Sequence, residues 1–307
     1  GSGAIQPLLS ESWSTSADGL TWTFKLKKGA TFQDGSPIEA KDVVWSVNRL
    51  LAINEGPSYL FEGVLSEGSV TEIDSNTVQF KLEKTYAPFL TTTPILFVVN
   101  SDLAKENAGD GDPWAQDYVA NNSIGAGAFY LDSWERGAGM TIKAYEGYHL
   151  GWSDTSIDEV RFVVTNEEAT VKALAASGEL SMSSDAQAQE TYDSIGALSD
   201  YRIDKYSTAT NFYLKLNNSI APTDDVNIRK AIAYATDYDT IRDVILPGAP
   251  LTGPMPPIFA DAYPDDIQPP TFDLAKAKEF VDASSYAGKG PIDIEVMYVA
   301  GLAFEEE

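Results

Sequence analysis

The segment at residues 18–49 constrains the fold most, because strand, turn and helix patterns follow one another there without a gap. Its first part alternates apolar and polar residues, which is typical of a half-buried strand. Asp34-Gly35 then predicts a tight turn, and Ser36 with Glu39 has the spacing of a capping box. An apolar stripe at helical spacing follows. The strand's apolar members are Trp22, Phe24 and Leu26, and those of the helix are Val43, Val44, Val47, Leu50 and Leu51.

Composition excludes several classes of protein. Of 307 residues, 43% are hydrophobic, enough for a sizeable core in two or three lobes. No apolar run of membrane-spanning length occurs in the sequence. Acidic residues outnumber basic ones 46 to 21, for a net charge of -25. Such a surface repels a phosphate backbone, so we expect no nucleic-acid partner. We interpret the acids, which are spread along the chain, as a solvated coat, with a cation-attracting cleft as the alternative.

The residues needed for most catalytic or metal chemistry are scarce. Cysteine is absent and histidine occurs once, as His149, which rules out thiolate nucleophiles and multi-histidine metal sites. No phosphate-binding glycine loop or EF-hand loop occurs, and the many acids make chance carboxylate pairs expected. We therefore predict that the chain is not an enzyme and uses no cofactor or metal. We interpret His149 as a surface or inter-lobe residue.

Periodicity predicts further elements along the chain. A hairpin is expected at residues 70–82. Asp112, which lies in a polar loop, is expected to cap a short helix that follows this loop. Later patterns predict a mostly buried strand, two helices and one more strand. They lie at residues 157–164, 166–177, 225–235 and from 292 onward.

The opening segment resembles the signature of the family 5 solute-binding proteins, the peptide- and nickel-binding components of ABC importers. Residues 122–129 resemble the family's NPiGTGPf turn, residues 213–218 its l.fN strand, and residues 225–235 its DvrvRqAiayA helix. Members of the family are usually longer, so we expect a fragment that lacks the C-terminal part. The matching positions of the opening segment are Asp18, Gly19, Thr21, Thr23, Phe24, Leu26, Lys28, Gly29, Phe32, Asp34, Gly35, Pro37, Ala40, Asp42, Val43 and Arg49.

This resemblance implies an α/β fold of the periplasmic-binding-protein type (cluster C), with an extra small α+β lobe, here incomplete. Residues 4–120 would form mainly the small lobe, 121–211 part of the first large lobe and 212–307 the beginning of the second. The implied function is capture of an oligopeptide or similar small solute between two lobes that close like a hinge. The implied partners are that ligand and ABC permease subunits. The implied protein is a periplasmic or extracellular monomer, with a lipid anchor as one option.

Two segments would carry the binding site if the resemblance extends to it. One overlaps a stretch that lies near the large-lobe cleft in relatives, and the other crosses between the lobes. Two aromatic residues in the irregular segment GPSYLFEG are further candidates to line a cleft. Hinge, loop or core roles stay open for all of them. The candidates are Ser183, Ser184, Asp185, Thr210, Asn211, Phe212, Tyr213, Tyr59 and Phe61.

Other aromatic residues favour packing over ligand contact. Trp22 lies on the apolar face of its strand, so we predict a core position. Trp45 falls off the helix stripe, and we expect it to pack against a neighbouring segment.

Two other functions also remain open: a secreted hydrolase with an acidic surface, and a surface-layer or structural protein that reuses the fold. Fold alone does not separate these from a solute binder.

Overall fold

The computed structural model describes residues 5–165, 167–184, 187–206, 210–248, 251, 253, 255, 266–269 and 271–306. The chain divides into two compact units, Gly1–Val164 and Thr165–Glu307. This boundary falls inside the stretch 121–211 that the sequence assigns to the first large lobe. The assignment of residues to lobes stays a prediction.

The first unit is built around a four-stranded antiparallel sheet in the order β1-β2-β4-β3. Its register places Trp22 opposite Phe80 and Phe24 opposite Val78, so the apolar members of the central strands share one face. The predicted first strand and the predicted hairpin are both confirmed. The strands are β1 (Ser10–Thr15), β2 (Thr21–Leu26), β3 (Val70–Asp74) and β4 (Thr77–Lys81).

Helix α1 (Ala40–Ile53) contributes its apolar stripe to the same core as this sheet. Phe89 contacts Phe24, Phe80 and Trp22, with ring centroids 5.5–6.5 Å apart. The core position predicted for Trp22 is therefore confirmed. Trp45, off the stripe as expected, packs against Trp114 at 5.6 Å.

The start of α1 differs from the prediction. The N-cap is Glu39, whose backbone N–H donates to the Asp42 carboxylate at 2.9 Å. Ser36 belongs to the preceding turn, where its N–H and hydroxyl both donate to Asp34. The chain is still extended at Ile38, since the Ile38 N–H bonds the carbonyl of Ala30. The predicted Ser36 cap was wrong because the Ser36 side chain bonds Asp34 in the turn rather than the first turn of the helix.

Short helices complete this region: α2 (Phe89–Thr92), α3 (Ser101–Glu106) and α4 (Gln116–Val119). Asp112 is not the N-cap of α4, as the sequence predicted. Its carboxylate instead accepts the N–H groups of Gln116 and Asp117 at 2.8 and 3.0 Å, so it still satisfies donors of the first turn.

A second antiparallel sheet, in the order β5-β6-β7, completes the first unit. The strand predicted at 157–164 forms, but the expectation of burial was wrong. As an edge strand, β7 leaves Phe162 41% and Val163 50% exposed. Periodicity alone does not report whether a layer covers the sheet. The strands are β5 (Phe129–Glu135), β6 (Gly139–Ala144) and β7 (Glu159–Val163).

The described part of the second unit is mainly helical. Helix α5 packs with α6 and helix α7 with α9, and the helices predicted at 166–177 and 225–235 are confirmed. The strands predicted at 213–218 and from 292 do not form in the described structure. No described helix has the length and apolarity to cross a membrane. The helices are α5 (Glu168–Ser177), α6 (Gln189–Gly196), α7 (Val226–Ala235), α8 (Tyr238–Thr240, continued by a π turn, Ile241–Ile245), α9 (Leu274–Asp282) and α10 (Ala303–Glu306).

Candidate functional site

The first predicted site segment is attached to α6 through one tyrosine. The Tyr192 hydroxyl donates to the carbonyl of Ser184 at 3.2 Å and accepts the N–H of Gln187 at 3.1 Å. The Gln187 amide in turn donates to the Ser184 hydroxyl at 3.1 Å. Ser183 lies just before this network and donates to the Ser184 carbonyl. Asp185, the charged member of the segment, lies outside the described residues.

The start of α6 is itself tied to α5 by a carboxylate. Glu168, in the first turn of α5, accepts the N–H of Ala188 at 2.8 Å and the hydroxyl of the buried Thr191. The hydrogen bond from Thr191, followed by that from Ala188, lowers the pKa of the Glu168 carboxyl. The segment that carries Ser184 is thus attached to two helices, α5 and α6, that are hydrogen-bonded to each other through Glu168.

The second predicted segment, residues 210–213, has no regular secondary structure. Phe212 is 57% and Tyr213 71% exposed. Aromatic faces of this kind offer large contact area to a ligand at low entropic cost. Residues 208 and 209 lie outside the described residues.

Tyr59 and Phe61, the two candidates in the first unit, have opposite environments. Both lie in the 3₁₀ turn Gly56–Phe61. Tyr59 is 70% exposed, whereas Phe61 is fully buried in the core beneath the four-stranded sheet. The burial of Phe61 corrects the expectation that it lines a cleft: it is a core residue. An irregular segment has no periodicity from which this difference could have been predicted.

Two open recesses are lined by none of the predicted site residues. One, of about 480 Å³, runs along α5 between Ala169 and Glu179. The other, of about 310 Å³, lies beside β5, where the Arg136 guanidinium stacks 4.0 Å from the ring centroid of Trp134 and donates to Asn121. Sequence patterns did not indicate either recess, although the second includes Asn122 and Ser123 of the motif at residues 122–129. Within the described ranges, no three acidic or histidine side chains form a group suited to a metal ion.

Comparison with known proteins decides the family. Residues 4–305 match the family model described as bacterial extracellular solute-binding proteins, family 5 Middle. The chain belongs to this family. The resemblance of the opening segment is thereby confirmed, and so is the expected α/β fold of the periplasmic-binding-protein type.

Family 5 relatives support the assignment individually. The probable D,D-dipeptide-binding periplasmic protein DdpA of Escherichia coli K12 is 31% identical over 83% of this chain and 49% of its own length. The dipeptide-binding protein of the same organism is 29% identical over 97% of this chain and 58% of its own. The chain spans about half the length of the curated relatives that it matches.

Solved structures of the family have the same fold. The periplasmic binding protein DppA of Helicobacter pylori, in complex with the peptide STSA, matches with a TM-score of 0.79 and 25% identity. The match covers 92% of this chain and 58% of DppA. NikZ of Campylobacter jejuni, in complex with Ni(L-His), matches with a TM-score of 0.73 at 20% identity, over 91% of this chain and 55% of NikZ.

Proposed function

We propose that this protein is the extracytoplasmic solute-binding component of an ABC importer, and that it captures an oligopeptide or similar small solute for delivery to permease subunits. The observation that carries the proposal is the family match over residues 4–305. Relatives named for binding dipeptides, oligopeptides and glutathione support a peptide-like ligand. The protein acts outside the cytoplasm as a monomer, with a periplasmic, extracellular or lipid-anchored location.

Capture in this proposal is an equilibrium between an open and a closed arrangement of two lobes. A ligand that touches both lobes favours the closed arrangement by its extra contacts there, so no covalent step is needed. Each lobe offers part of the site, and a longer solute gains contacts on both. A sequence without cysteine and with a single histidine is compatible with such a mechanism.

The residues proposed to contact the solute belong to the two segments described above. In the irregular segment 210–213, the exposed rings of Phe212 and Tyr213 pack on the solute. Ser183 and Ser184, next to the α5/α6 pair, add hydroxyl groups, and Asp185, which lies outside the described residues, is kept as a candidate on its sequence alone. Tyr59 is retained as a contact from the small lobe, and Phe61 is not.

Native mass spectrometry of protein purified from its host tests the function directly. A binder carries a co-purified small molecule or peptide whose mass appears when the complex is dissociated. A dipeptide and oligopeptide library then raises the unfolding temperature in a concentration-dependent way. Turnover of the library supports a hydrolase instead, and self-association with no ligand-dependent shift supports a structural role.

A matched pair of variants tests the site. Tyr213→Ala should weaken the affinity for the identified peptide about tenfold or more, since it removes an exposed ring from the proposed site. The control is Tyr298→Ala in the same unit, where the side chain is 58% exposed and has no assigned role. Equal affinities in the two variants, measured by calorimetry, would remove residues 210–213 from the site.

A further inference from the structure

The only histidine in the sequence lies at a join within the first unit. The turn after β6, residues 145–152, folds back onto the end of β2. There the Lys27 ammonium donates a hydrogen bond to the backbone carbonyl of His149 at 3.0 Å, across 122 positions of sequence. Beside it, the hydroxyls of Thr31 and Tyr145 lie 2.8 Å apart. These contacts hold the turn against the first sheet.

The His149 side chain is half-buried at this join. Both of its ring nitrogens are inaccessible to solvent. The ring of Tyr148 packs edge-on against it, with centroids 4.8 Å apart. A neutral imidazole tolerates this environment at modest cost. A protonated one is disfavoured, because it places a positive charge out of contact with water and near the Lys27 ammonium, and the main chain of Leu8 compensates for only part of this.

Burial of the ring and the neighbouring positive charge both disfavour its protonation. Burial lowers the pKa of His149, and the Lys27 ammonium lowers it further, while a contact with the main chain of Leu8 opposes part of the shift. Glu146 and Asp154, the acids on either side of His149 in sequence, are exposed to water. Among the described residues, Lys27 is thus the charged group that acts on the ring.

We propose that His149 is an acid-sensitive latch, in which protonation of the ring opens the contact between the 145–152 turn and the end of β2. In the opened turn the ring is exposed to water and has its ordinary pKa of 6.5. The closed form takes up the proton only at lower pH. Stability of the closed join is therefore complete above pH 6.5 and falls as the pH decreases below that value.

Nuclear magnetic resonance tests the latch without any substitution. Because the sequence contains one histidine, its ring signals are assigned unambiguously and followed against pH. We expect a titration midpoint below 6.5 and loss of amide protection in residues 145–152 between pH 7 and pH 5. A midpoint at or above 6.5, or protection that does not change, overturns the proposal.

Variants separate the charge of the ring from its packing. His149→Phe keeps an aromatic ring but cannot be protonated, so its unfolding temperature should fall less than that of the wild type between pH 7 and pH 5. Lys27→Met removes the neighbouring positive charge and should raise the titration midpoint of His149. Lys25→Met, at an exposed position of β2 two residues before Lys27, should leave that midpoint unchanged. Identical pH profiles for wild type and a folded His149→Phe contradict the latch.

Discussion

The two units differ in how completely the described residues bury their apolar side chains. In the first unit, a sheet and α1 enclose a continuous core that includes four phenylalanines, Phe24, Phe61, Phe80 and Phe89. In the second, the buried residues form small groups between paired helices, such as Val171, Ala175 and Ile195. Strand-like runs there stay exposed, with Tyr213 71% and Val296 60% accessible. An apolar pattern thus becomes a strand only where a partner strand lies beside it.

Hydrogen exchange should show the largest difference between the units. In the 307-residue chain, the backbone amides of β2 and β4 are paired within a sheet, whereas residues 213–218 and 292–298 have no ladder in the described structure. We expect the amides of these two segments to exchange at least about a hundredfold faster than those of β4. Mass spectrometry of the exchanged chain measures this. Comparable protection would show that both segments are paired in solution.

The next largest effect is expected from the core of the first unit. Phe61→Ala should lower the free energy of unfolding by about 3–5 kcal/mol, because it leaves a cavity beneath the sheet. Tyr59→Ala, two residues earlier in the same turn but 70% exposed, should change it by less than about 0.5 kcal/mol. Denaturant titration measures both. A small loss for Phe61→Ala would return that residue to the list of candidate ligand contacts.

Removing a buried carboxylate should have a smaller but clear effect. Asp42 is 1% exposed and accepts hydrogen bonds from Glu39 and from both the N–H and the hydroxyl of Ser101. Asp42→Ala leaves these donors unsatisfied, so we expect a loss of about 3 kcal/mol. The control is Asp102→Ala, which breaks exposed ion pairs with Lys41 and Lys105 and should cost less than about 1 kcal/mol. Equal losses would contradict the role assigned to burial.

The smallest predicted effect is in the second unit and depends on pH. Glu168→Gln weakens the link between α5 and α6, and we expect a loss of about 1 kcal/mol at pH 7. Because hydrogen bonds lower the pKa of Glu168, its contribution is present above its ordinary value of 4.5 and is lost as the pH falls through the lowered value.

Stability curves of the wild type and Glu168→Gln should therefore converge in acid. Glu167→Gln, at the exposed neighbouring position, is the control and should follow the wild type at every pH. A constant difference between wild type and Glu168→Gln would mean that the carboxylate charge does not matter.

Local patterns predicted most elements, and the misses have physical causes. The alternation at residues 21–26 and the turn at Asp34-Gly35 depend on neighbouring residues alone, and both were correct. The cap of α1 was predicted at Ser36, but the N–H and hydroxyl of Ser36 donate to Asp34 in the preceding turn instead. For the candidate site, the sequence predicted two segments, and no contact among the described residues joins them. A binding site brings together residues that are distant in sequence, which local patterns do not specify.

The sequence by itself determined the family, the alternation of strands and helices, the turn positions and the acidic surface. Each depends on residue type and short-range spacing. Only the tertiary structure decided that Phe61 is buried while Tyr59 is exposed, that β7 lies at an edge, and that the ring nitrogens of His149 are buried at the contact with Lys27. Burial and pairing depend on what lies next to a residue in space, and local sequence does not specify that neighbour.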